Sequence, residues 1–101
     1  MQELITEEIA KRVPPLYAND GKGLDAIAKV HLFSCLSNWD WYMSEYDPDT
    51  KTGYGLVIGF EEELGYFSLD EMQEINNSYG FNFIERDEHF TERPLREMSR
   101  R

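Results

Sequence analysis

A single cysteine, Cys35, stands in 101 residues, which excludes an internal disulfide and gives no reason to place the chain in an oxidising compartment. His31 and His89 have no neighbours at metal-ligand spacing, so neither a resident metal nor a cofactor is expected. No run approaches the roughly 20 apolar residues of a membrane span, and the opening MQELITEEIAKRV is acidic and amphipathic where a secretory leader would be basic and then apolar. The expectation is a cytoplasmic chain without a membrane partner. Glycines are present but misplaced for holding phosphate: Gly53, Gly55 and Gly59 fall in or beside a predicted hairpin and not at a strand-to-helix turn, which leaves nucleotide hydrolysis without support.

Positive charge is scarcest where negative charge is densest. The formal net charge of -10 divides into -1 over residues 1 to 39, -9 over residues 40 to 74, where Lys51 is the only base, and 0 over residues 75 to 101. A face of that sign repels nucleic acid and anionic lipid and attracts a basic partner. The remaining composition, 41% hydrophobic and 14% aromatic, is that of a folded globule, and the length suits a single domain spanning residues 1–101.

The pattern along the chain predicts an α+β fold: a small antiparallel sheet built on a central hairpin and packed with two or three short helices. Thr6 before Glu7 and Glu8 is an N-cap signal, and Pro14 and Pro15 stop that helix. Ala18 to Gly23 reads as a loop and Ala26 to Ser34 as a strand. Trp39 to Tyr46 and Tyr54 to Phe60 form the hairpin, with Asp47 to Gly53 as its turn, and Tyr66 and Phe67 extend the sheet briefly. Ser68-Leu69-Asp70-Glu71 is a capping box that starts a helix ended by Gly80, with Leu69, Met72 and Ile75 on its apolar side. Phe81 to Glu85 alternates as a last strand, and the tail from Arg93 is irregular or briefly helical.

A hairpin symmetric about Thr50 would put Tyr42, Tyr46, Tyr54, Leu56, Ile58 and Phe60 on a core face. Trp39, Trp41, Met43 and Glu45 would share the other face with Gly55, Val57, Gly59 and Glu61, Trp41 lying across from Gly59 and Glu45 across from Gly55. An indole over a strand glycine has a plain stabilising role. Left open, the same face is an aromatic platform edged by carboxylates, suited to a cation, a sugar ring or a base. Glu45 with Glu61 and Glu63 would allow acid/base chemistry of the glycosidase type, though the spacing fixes no carboxyl separation; as a solvated strand-end acid, Glu45 would do none.

The runs SNWDWYMSEYD (Ser37 to Asp47), GYGLVIGFEEELGYFSLDEM (Gly53 to Met72) and IERDEHFTERPL (Ile84 to Leu95) resemble, in that order, the bacterial family named domain of unknown function 2958. The Trp-x-Trp-Tyr followed by Gly-Phe-Glu-x-Glu-Leu-Gly-Tyr-Phe is not a generic strand pattern. The chain departs from the family around Gly21 to Gly23 and at Arg100 and Arg101. The resemblance implies a small cytoplasmic protein of bacteria, of a kind often carried on plasmids, phages and other mobile elements, with no agreed activity and no catalytic residues to carry over.

Three functions follow as expectations. The first is a non-enzymatic protein–protein interaction module that binds a basic partner through Glu61, Glu63, Asp70 and Glu71, presenting DNA-like charge to a host defence or nucleic-acid enzyme without binding nucleic acid directly. The second is a small-molecule binder or hydrolase using the Trp39, Trp41 and Glu45 face. In the third, the apolar hairpin face completes a homodimer sheet or is covered by a partner; the chain is otherwise a monomer.

Overall fold

The computed structural model describes residues 2–100. Its elements are α1 (Glu7–Ala10), β1 (Ile27–Ala28), β2 (Val30–Ser34), β3 (Asp40–Asp47), β4 (Thr52–Ile58), β5 (Glu62–Ser68), α2 (Leu69–Tyr79), β6 (Ile84–Arg86) and β7 (Arg93–Pro94), with 3-10 turns at Gly23–Asp25 and Leu95–Glu97. Five strands form one antiparallel sheet in the order β5, β4, β3, β2, β6, and β1 pairs with β7 as a separate two-stranded ribbon. Among the described residues no helix is long and apolar enough to cross a membrane.

The architecture is therefore mostly β, which corrects the expected α+β balance of a small sheet packed with two or three short helices. The two α-helices have only four and eleven residues. Two local causes shift the balance. The run Glu61-Glu62-Glu63 looks like loop, yet β5 begins at Glu62 and pairs with β4 along its whole length, from Ile58↔Glu62 to Thr52↔Ser68. As an edge strand it tolerates the charge, which also discourages stray pairing at its open side. The tail from Arg93, expected as irregular or briefly helical, gives β7 and then the 3-10 turn Leu95–Glu97, whose Leu95 is completely buried.

The single strand expected from Ala26 to Ser34 breaks at Lys29, whose N–H donates to the Met43 carbonyl at 2.7 Å. The break sends its apolar residues to two sides. Val30 and Leu32 join Leu4, Val13, Met43, Tyr46, Leu69, Met72 and Ile84 in a core under α2 and the N-terminal segment. Ala26 and Ala28 join Leu56, Ile58 and Leu95 in a second core on the opposite side of the sheet.

The helix signals hold at both ends of α2. The Ser68 hydroxyl accepts the Glu71 N–H at 3.1 Å, and Gly80 takes the left-handed conformation (φ 73°) that closes the last turn. Its inward row differs from the expected one: Leu69, Met72 and Asn76 are buried and Ile75 is exposed. Asn76 is a buried polar residue that satisfies itself on β6, donating to the Ile84 carbonyl at 2.8 Å and accepting the Ile84 N–H at 3.0 Å. The side-chain amide thereby acts as a strand partner, fixing α2 to the sheet edge.

Candidate functional site

The geometry of the tryptophan strand follows from a bulge. Before it, Trp41 pairs with Val57 and Met43 with Gly55; the register then shifts between Met43 and Glu45, and Glu45 pairs with Tyr54. Ser44 is the extra residue, fully buried, its hydroxyl donating to the Tyr54 carbonyl at 3.3 Å. β4 passes so close that a Cβ on Gly55 would stand 1.9 Å from the Tyr42 carbonyl oxygen, so glycine is required there. The symmetric register is thereby corrected, and with it the faces of Glu45 and Tyr46, while Trp41 and Met43 keep the side expected for them and Tyr42 keeps the other. Trp41, Met43 and Tyr46 lie on the α2 side, whereas Tyr42 and Glu45 lie on the other.

Indole does rest on glycine, but a different indole. A Cβ on Gly59 would fall 2.6 Å from three atoms of the Trp39 ring, so it is Trp39 and not Trp41 that covers this backbone. Trp39 stands 5.9 Å from Trp41 and edge-on to Phe60 at 5.6 Å, and Phe60 is 95% exposed. Both indoles are half-buried and open onto a groove of about 400 Å³ whose far wall is Ile75 and Tyr79 of α2 with Phe83. Phe83 is held edge-on by Tyr79 at 4.8 Å and against Phe81 at 4.1 Å.

Acidic residues border this groove. Glu71, Ile75 and Tyr79 recur every four residues along one side of α2, so Glu71 continues the row that walls the groove. Glu63 pairs with Val57, which pairs with Trp41, placing the carboxylate two strands away on the same face, about 10 Å by strand spacing. Glu61 closes the tight turn beside Trp39, its carbonyl accepting the Gly59 N–H at 2.9 Å. Glu61, Glu63, Glu71 and Glu74 are exposed, and among the described residues none of them is in an ion pair. Asp70 differs: it faces Lys51 at 3.8 Å across open solvent.

Glu45 is separated from the tryptophans by the sheet itself. It is 4% exposed, and its two oxygens accept the N–H groups of Tyr17 at 2.8 Å and Asn19 at 2.9 Å, pinning the 17–23 loop over the sheet. Glu45 and Glu63 project from opposite faces, so they do not form the carboxylate pair considered for acid/base chemistry.

His31, which no local pattern singles out, is engaged on both ring nitrogens and on its ring face. Its Nε2 lies 2.7 Å from Asp40 Oδ1 and its Nδ1 3.1 Å from Asp87 Oδ2, while its ring stacks on Tyr42 with centroids 4.4 Å apart. Burial pushes the Asp87 carboxyl up, but the bond to His31, the His89 backbone N–H and the two imidazoles outweigh it and hold it below the usual carboxylate value. With both nitrogens occupied, His31 ties β2, β3 and the segment after β6 together and presents no free base to a substrate. The three residues are 56 positions apart at the extremes, which is why no spacing rule finds them.

No curated protein and no solved structure matches the chain. The family model described as protein of unknown function (DUF2958) matches residues 4–100, and the chain belongs to that family.

Proposed function

We propose that this is a non-enzymatic interaction protein whose α2-side groove accepts an apolar or aromatic side chain from a basic segment of a partner protein. The observation that carries it is the coincidence of an open indole-lined groove with exposed carboxylates that make no ion pair among the described residues. Large aromatic anchors supply binding energy in a desolvated pocket, while charges at the rim steer the approach.

The distribution of acids favours a short basic segment over a long DNA-like track of charge. Of the acids between residues 40 and 74, Asp40 is bound by His31, Glu45 by the 17–23 loop, Asp47 by its own turn through Asp49 and Thr50, and Glu62 by Ser99 and Arg100. Asp70 faces Lys51 and Asp49 sits exposed in the hairpin turn; Glu61, Glu63 and Glu71, with Glu74 one turn along α2, are the exposed acids on the groove's side of the fold.

A Lys/Arg-rich peptide with one central tryptophan or leucine serves as the probe. Titration should move the indole N–H resonances of Trp39 and Trp41, weaken with added salt, and weaken again when the four glutamates are changed to glutamine. Unmoved indoles, or affinity indifferent to both salt and charge removal, would overturn the proposal.

A further inference from the structure

On the opposite face of the sheet, Glu45 of β3 pairs with Tyr54 of β4, which pairs with Tyr66 of β5, so a carboxylate and two phenols form one row across three strands. The Tyr54 and Tyr66 rings stand 4.8 Å apart at 55° to each other. The loop carrying Tyr17 folds over the end of this row and encloses a cavity of about 570 Å³, with Tyr17, Asn19, Asp20, Glu45, Tyr54 and Tyr66 among its lining.

Three features of this cavity bear on what it could hold. First, Glu45 is buried, yet its hydrogen-bond partners are neutral backbone amides, and no ion pair among the described residues includes it; a buried charge is ordinarily matched by a cation. Second, the lining contains Asp20 as a further acid and no basic residue. Third, Tyr17 adopts φ 72°, a left-handed conformation that a bulky residue takes only when its surroundings impose it. The result is that its N–H reaches Glu45 while its side chain lines the cavity with Tyr66. Interaction with Tyr17 is the first of the influences, burial and the charge of Glu45 among them, that hold the Tyr66 hydroxyl above its ordinary value.

We infer that this cavity binds a small alkylated ammonium ion, held over the faces of Tyr17, Tyr54 and Tyr66 and neutralising Glu45. Aromatic faces and a fixed negative charge attract any cation. The buried acceptor atoms, however, are already engaged: both Glu45 oxygens take backbone N–H groups. A primary ammonium, compact and strongly hydrated, needs acceptors to replace its water. An alkylated ammonium needs faces and field, which this cavity offers. The site lies across the sheet from the tryptophan groove and does not depend on the function proposed for it.

The probe is tetramethylammonium chloride titrated into isotopically labelled protein, with sodium chloride and ammonium chloride at equal ionic strength as references. Saturable shifts confined to Tyr17, Tyr54, Tyr66 and the loop amides are expected from tetramethylammonium alone. Tyr66 is 56% exposed, so Tyr66→Ala leaves the rest of the spectrum in place; it should weaken binding by about fivefold, while Tyr66→Phe, which keeps the ring, stays within about twofold. Choline and a trimethyllysine peptide then separate the sources of the ion: tighter binding of the peptide assigns it to a partner's side chain, equal or tighter binding of choline to a free molecule. Shifts reproduced by sodium chloride, shifts scattered over the surface, or undiminished binding by Tyr66→Ala would each overturn the inference.

Discussion

Replacing Asn76 by alanine tests how the wall of the tryptophan groove is held. Asn76 is fully buried and Ile84 nearly so, and the side-chain amide satisfies both the N–H and the carbonyl of Ile84. Alanine would leave two buried backbone groups without partners, at about 1–3 kcal/mol each. A loss of roughly 2–6 kcal/mol is a large share of the ~5–15 kcal/mol that holds an ordinary domain together. Urea denaturation followed by tryptophan fluorescence measures it directly, and amide hydrogen exchange at Ile84 should accelerate in step. Asn76→Asp is the more searching variant. It retains an acceptor for the Ile84 N–H but sets a carboxylate against the Ile84 carbonyl, so burial raises its folded pKa above the unfolded one. The stability it permits is therefore present at low pH and lost as pH rises through the folded value, so this variant should be relatively firmer in mild acid than at neutrality. A destabilisation of Asn76→Ala below about 1 kcal/mol would refute the claim that these two bonds fix α2 to β6.

Other expectations follow from the same geometry. Because the folded pKa of Asp87 is lowered, its contribution is complete above the unfolded value of about 3.9 and lost as pH falls through the folded one. The urea midpoint should accordingly decline in acid, and Asp87→Asn should remove part of that decline; an identical acid profile in the variant would contradict the role given to the His31 bridge. Gly59→Ala puts a Cβ where the Trp39 ring lies, so the indole must lift, costing about 1 kcal/mol and altering tryptophan emission. Unchanged emission would mean the ring does not rest there. Lys51 adopts φ 57° at the hairpin turn, and Lys51→Gly should stabilise by up to about 1 kcal/mol, since the exposed Lys51–Asp70 pair it gives up contributes little. A measured loss of stability in the glycine variant would count against strain at that turn.

What the sequence revealed depended on how local the physics was. The α2 start at Ser68 and stop at Gly80 are decided within a few residues, and both were legible. So was the existence of the β3–β4 hairpin, whose turn is closed by Asp47 accepting from Asp49 and Thr50. Its register was not: the turn already pairs Asp47 with Thr52, and the bulge, which leaves no mark in the alternation of side chains, moves the pairing by one more, so Glu45 and Tyr46 exchange faces while Trp41 and Tyr42 keep theirs. The indole-on-glycine contact was anticipated in kind and misassigned by the combined offset. β5 was hidden behind three consecutive glutamates, and Asn76 and His31 were illegible because their partners are set by tertiary contacts rather than by spacing.

The bulge at Ser44 has a consequence for the uniqueness of the fold. In a regular strand, sliding by two positions restores every residue to its proper side, so slipped alignments compete with the native one. Here the half of β3 before Ser44 and the half after it answer to different partners, and no slide satisfies both at once. The extra residue thus works as a key: only one alignment seats Met43 against Gly55 while delivering Glu45 to the amides of Tyr17 and Asn19.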